Sequence, residues 1–147
     1  MINYSFKDFL VFVIGCIGGA ISTVFGGWTQ GMTALIIMMA IDYITGLLVA
    51  GVFKKSPKTK TGALQSKAGL KGLCKKGVML LIVLVAAQLD IVLSTTFVKD
   101  AAVIGFMTNE MISIVENAGL MGIPIPKKIT KAIDLLKQKE DGKNESK

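Results

Sequence analysis

Apolar residues in this chain gather into long blocks rather than at the spacing of a soluble core, and about 20 helical residues at 1.5 Å each cross a bilayer core of roughly 30 Å. Four blocks meet that ruler, at about 9–25, 32–53, 77–93 and 101–118. The first stops at Gly26-Gly27-Trp28-Thr29-Gln30-Gly31, where paired glycines break a helix and Trp favours the membrane interface. The second is interrupted only by Asp42 and Tyr43 and ends at Lys54-Lys55. The third carries Gln88 and Asp90 near its far end. The fourth contains Asn109, Glu110, Ser113, Glu116 and Asn117, so a helix that lies at the interface without crossing is its competing reading.

Between the second and third blocks lies 54–76, with eight Lys and no acidic residue, which reads as a solvated basic loop. Towards its end Lys67, Lys71 and Lys75 recur every fourth residue, beside Lys76, as in a short helix resting on anionic lipid. After the fourth block Pro124 and Pro126 force a break, and Pro126 suits the start of a new helix. There Ile129, Ala132, Ile133 and Leu136 repeat at i, i+3, i+4 and i+7 among Lys127, Lys128, Lys131 and Lys137, the pattern of an interfacial amphipathic helix. From Lys139 onward the tail is polar and reads as disordered. The expected fold is therefore all-α: a polytopic helical membrane protein with a membrane domain over 1–126, four transmembrane helices, and a cytoplasmic amphipathic helix with a Lys-rich tail over 127–147.

Lys-rich short loops stay in the cytoplasm, so loop 54–76 is expected inside. Counting outward puts both termini inside and the turns at 26–31 and 94–100 outside. Seven Lys in the tail agree, and only Lys99 is left outside. Three spans would export the tail and break the rule.

Composition narrows function. The 147 residues carry a net charge of +7, are 52% hydrophobic and contain no His, which removes the commonest general base and metal ligand. All 17 basic residues are Lys, with few aromatics among them, so anionic lipid is a better match than nucleic acid. Neither an enzyme nor a cofactor or metal site is expected. Val13-Ile14-Gly15-Cys16 resembles a lipid-attachment box, but one Lys beside Asp8 and a short apolar run argue against a secretion signal. Cys16 then reads as a small intramembrane residue, and Cys74, in a reducing compartment, as a free thiol.

Asp42, Asp90, Glu110 and Glu116 fall inside the blocks with no Lys at their depth. A charge at the centre of a span costs about 2.5 to 3.5 kcal/mol, so these groups must be protonated, hydrogen-bonded or wet. Tyr43, Gln88, Asn109, Ser113 and Asn117 are the partners at hand. Asn109, Ser113, Glu116 and Asn117 lie at i, i+4, i+7 and i+8, with Glu110 at the edge, which marks a polar seam that turns to water on assembly. For any single one of these residues interhelical hydrogen bonds in a static bundle serve equally well, and the stripe on the fourth block favours the seam. Gly15 with Gly19, Gly18 with Ser22, and Gly46 with Ala50 have the small-residue spacing of close helix contacts, within one chain or between chains.

At these positions the sequence resembles the toxin-secretion and phage-lysis holins of Gram-positive hosts and their phages. The resemblance rests on Phe25-Gly26-Gly27-Trp28, on 40–46 around Asp42 and Tyr43, on 66–73 with Lys75 and Lys76, on Asp90 after Gln88-Leu89, and on 109–117 followed by 122–126. It runs from about Phe25 to Leu136. It implies a non-catalytic homo-oligomer of the host cytoplasmic membrane, whose lesion lets an endolysin or a large toxin escape. A small ion channel or transporter, or a non-conducting assembly factor, are the other classes the residues allow.

Overall fold

The structure is a computed structural model that describes residues 5–144, with side chains over 5–135. Five helices make up its regular structure: α1 Phe6–Val24, α2 Gln30–Gly51, α3 Ser66–Leu93, α4 Phe97–Leu120 and α5 Lys127–Asn144. The all-helical fold read from the sequence is correct. Three of these helices, α1 to α3, are long and apolar enough among the described residues to cross a membrane. The polar residues of α4 keep it below that level.

Local chemistry fixes the helix ends. The Ser5 amide donates to Asp8 Oδ2 at 2.9 Å, which starts α1. At its far end Gly26 and Gly27 take φ +64° and +92°, and their amides reach back to the carbonyls of Thr23 and Ser22. Thr29 Oγ1 then accepts from the Met32 amide at 3.3 Å at the head of α2. Pro126 supplies the carbonyl that receives the Ile129 amide at 2.8 Å, so α5 begins where the proline break predicts.

Two helix boundaries differ from expectation. The short basic helix expected around Lys67 and Lys75 and the third span are one continuous 28-residue helix. Gly69, Gly72 and Gly77 do not interrupt it, because a helical glycine costs only about 1 kcal/mol against alanine and no proline stands between the two parts. Likewise α5 runs on to Asn144, past Lys139, since Lys, Gln and Glu at 137–140 are good helix formers.

The chain forms two compact units, Met1–Ile37 with Cys74–Met107, and Met38–Leu73 with Thr108–Lys147. In the first, Met32, Leu35, Val83, Ala86, Ala87 and Val103 are buried. Here α2 passes close to α4, where a Cβ on Gly31 would lie 3.3 Å from Val103 Cγ1. In the second, Met39, Val49, Ala50, Ile112 and Ile133 are buried. Its segment 52–65 is folded rather than merely solvated: the Ser56 amide donates to the Gly62 carbonyl at 3.0 Å, and Ser56 is buried. Large apolar side chains such as Phe9, Phe12, Leu81, Val85 and Ile104 stand exposed, as suits a protein whose outer solvent is hydrocarbon.

Candidate functional site

The seam on α2 follows from its periodicity. Met32, Leu35, Met39, Asp42, Gly46 and Val49 succeed one another by alternating steps of three and four, and all but half-buried Gly46 are buried. That is the narrow stripe by which one helix packs on another, and Asp42 occupies one of its central places.

In the second unit α4 brings Asn117 to this carboxylate. The Asn117 amide donates to Asp42 Oδ1 at 3.1 Å and to Thr45 Oγ1 at 3.0 Å, and Thr45 Oγ1 in turn donates to the Asp42 carbonyl at 3.0 Å. Gly46 makes room, since a Cβ there would meet Asn117 Nδ2 at 3.8 Å. The Tyr43 hydroxyl lies 3.6 Å from where a Cβ of Gly69 would stand, so the ring rests against the start of α3. Glu110 is also buried here, 3% exposed.

The polar stripe expected on α4 is split. Val103, Glu110 and Asn117 form its buried row at seven-residue steps, with Ser113 half-buried, while Asn109 and Glu116 are exposed. The sequence grouping placed Asn117 with Asn109 and Glu116. At 3.6 residues per turn a seven-residue step returns almost to the same face, and this brings Glu110 into register with Asn117 instead.

In the first unit Asp90 serves the helix that follows it. Its Oδ1 accepts from Thr95 Oγ1 at 2.6 Å and from the Val98 amide at 3.1 Å, and its Oδ2 accepts from the Lys99 amide at 2.8 Å. A carboxylate thereby caps the free amides of the first turn of α4, where the helix dipole also favours negative charge. Lys99, 8% exposed, sends its ammonium to the carbonyls of Phe25, Gly26 and Gly27 at 3.2, 3.4 and 3.3 Å. Gln88 Nε2 donates to the carbonyl of Val24. Sequence reasoning missed both Lys99 and Thr45. For Lys99 a signal existed: a lysine in the first turn of its own helix faces the positive end of that dipole, so its charge suits another helix's C-terminus.

The small residues divide in the same manner. Gly46 and Ala50 pack within the chain, whereas a Cβ added at Gly15, Gly18 or Gly19 meets no atom within 4 Å, and Ser22 is half-buried. Ser22 Oγ accepts from the Trp28 amide at 3.1 Å, which ties the end of α1 to the following turn. Of the basic residues, Lys54, Lys55, Lys67, Lys71, Lys75, Lys127, Lys128 and Lys131 are exposed and Lys76 is half-buried. Among the described residues no three Cys, Asp or Glu side chains converge to hold a metal ion. The buried groups Asp42, Asn117, Asp90 and Lys99 join neighbouring segments by polar contacts.

The sequence profile of a bacteriophage holin family matches residues 19–138. An uncharacterized protein of Halalkalibacterium halodurans is 38% identical over 130 residues, 84% of this chain and 90% of its own. An uncharacterized 14.9 kDa protein of Clostridium perfringens is 33% identical, covering 90% of this chain and 96% of its own. A probable holin of Bacillus phage phi105 is 29% identical over 120 residues, 81% of this chain and 83% of its own. No solved structure matches.

Proposed function

Since the chain belongs to the bacteriophage holin family, a non-enzymatic one, we propose that it oligomerises in the cytoplasmic membrane of a bacterial host and opens a lesion through which an endolysin reaches the cell wall. The family match over residues 19–138 carries this reading. The buried polar contacts support it. In a protomer Asp42 and Asn117 satisfy each other inside otherwise apolar helices, and exposed Asn109 and Glu116 on α4 are groups that hydrocarbon receives poorly. Assembly that exchanges lipid for water or for another α4 relieves that cost. The exposed lysines of 54–75 and of α5 rest on anionic headgroups at the cytoplasmic face, with α4 as a fourth span and both termini inside.

Induced expression in a bacterium that also holds a cytoplasmic muralytic enzyme tests the reading, with membrane potential and culture density followed together. The expected course is sudden depolarisation, then lysis only when the enzyme is present. Asp42→Leu and Glu110→Leu are expected to insert normally and to change the onset or size of the lesion. Continued growth of the wild type with its potential intact would overturn the proposal, and unchanged onset in both variants would remove the polar contacts from it.

A further inference from the structure

Helix α1 stands apart in how it is held. None of its side chains is buried, and a Cβ on Gly15, Gly18 or Gly19 would meet nothing within 4 Å. Burial does not fix its direction. Its end is instead held by polar groups: Gln88 on the Val24 carbonyl, and the Lys99 ammonium on three successive carbonyls from Phe25 to Gly27. The carbonyls of Phe25, Gly26 and Gly27 lie just beyond the last residue of α1, at the negative end of its dipole, so a buried cation there makes a strong contact in a poorly polar setting. Lys99 is itself held by its backbone, because Asp90 Oδ2 accepts its amide. Immediately beyond Val24, Gly26 and Gly27 occupy left-handed backbone at φ +64° and +92°, and their amides bond back to the carbonyls of Thr23 and Ser22, so the turn that Lys99 holds also sets the direction of α1.

We propose that Lys99 is a latch: its ammonium fixes the turn Phe25–Gly27 that follows α1, and its withdrawal frees that turn, and α1 with it, to swing as the lesion forms. The latch itself follows from the contacts just given, while its part in lesion formation rests on the holin reading. Lys99 acts as a positioning residue, through α1.

The chain carries two native reporters. Cys16 lies in α1 and Cys74 in α3, and both are exposed. Spin labels on this pair, in the full-length protein reconstituted in liposomes and diluted with an unlabelled Cys16→Ala, Cys74→Ala chain, read the distance between the two helices. The wild type is expected to give one narrow distribution. Lys99→Met is expected to broaden it about twofold or more, as a fixed helix becomes an ensemble. Lys99→Arg keeps the charge and is expected to stay narrow. Should Lys99→Met accumulate poorly, Lys99→Gln keeps N–H donors without the charge and is expected to broaden likewise. A narrow distribution in the uncharged variants, or equal broadening in Lys99→Arg, would overturn the latch.

In the lysis assay Lys99→Met is expected to shift onset and Lys99→Arg to restore it. Broadened distances with wild-type onset would overturn the role in lesion formation and leave the latch. Failure of the wild type to lyse would instead remove the holin reading, with the distances still deciding the latch.

Discussion

Asn117 joins two helices with a single amide. Its Nδ2 donates to a carboxylate and to a hydroxyl on α2, both one turn or less apart along that helix. Asn117→Leu keeps the bulk and removes the donor, leaving Asp42 Oδ1 and Thr45 Oγ1 with one contact fewer in a buried place. The expected cost is about 1–3 kcal/mol, seen as a lower unfolding midpoint in detergent micelles. An unchanged midpoint would show that the amide contributes no net stability. The sequence made Asp42 and Asn117 conspicuous, as polar residues inside apolar blocks. It did not pair them, because pairing depends on which turns of α2 and α4 meet. Thr45 stayed hidden for another reason: a threonine in a membrane helix commonly bonds its own backbone, as this one also does, and so gives no sign of a second partner.

At the scale of elements, hydrophobic block length predicted the helices well and their ends less well. Blocks at about 9–25 and 32–53 became Phe6–Val24 and Gln30–Gly51, small shifts set by the Ser5–Asp8 contact and the Thr29 cap. The third block hid its true length, since helical hydrogen bonding continues through lysines as readily as through leucines. Segment 52–65 was least legible. Its order comes from backbone contacts: Gly62 at φ +70°, Ser56 bonded to the Gly62 carbonyl, and Thr59 Oγ1 donating to the Ala63 carbonyl at 2.9 Å. Composition cannot register such contacts, and lysines dominate its reading. A Cβ on Gly62 would collide with the Lys54 carbonyl oxygen, so the backbone must shift to admit any side chain. Gly62→Ala is therefore expected to open this segment while sparing the helices. Limited trypsin digestion checks it: cleavage after Lys58 and Lys60 is expected to speed up severalfold, as local opening exposes them. Equal digestion rates would mean that the segment is already open in the wild type.

For the whole molecule, the number of crossings decides on which side each loop lies. With α4 as a fourth span, the turn after α3 and the start of α5 lie on opposite sides of the membrane. Single cysteines at Ser94 and Thr130, in a chain with Cys16 and Cys74 replaced by Ala, are then expected to label from outside and from inside respectively with an impermeant maleimide. Labelling of both from the same side would reduce the spans to three and overturn the proposed placement of the lysines of 54–76 and 127–131 on one face. The sequence supplied the membrane setting, the helix order and the family resemblance, each of which depends on local runs of residues. It left undecided which small residues pack within a chain. Gly46 does, while Gly15, Gly18 and Gly19 do not, and identical spacing does not distinguish them.

The cap that Asp90 places on α4 also bears on how the protein is made. Helices α3 and α4 leave the ribosome consecutively, joined by a turn in which Ser94 takes φ +52° and Thr95 bonds to both the Asp90 carbonyl and its carboxylate. On the proposed topology this turn must be translocated. It carries an acid across the bilayer already surrounded by a hydroxyl and two amides from its own hairpin. On that topology the two helices are expected to be delivered as one pre-paired hairpin, with the turn's own chemistry standing in for water during passage.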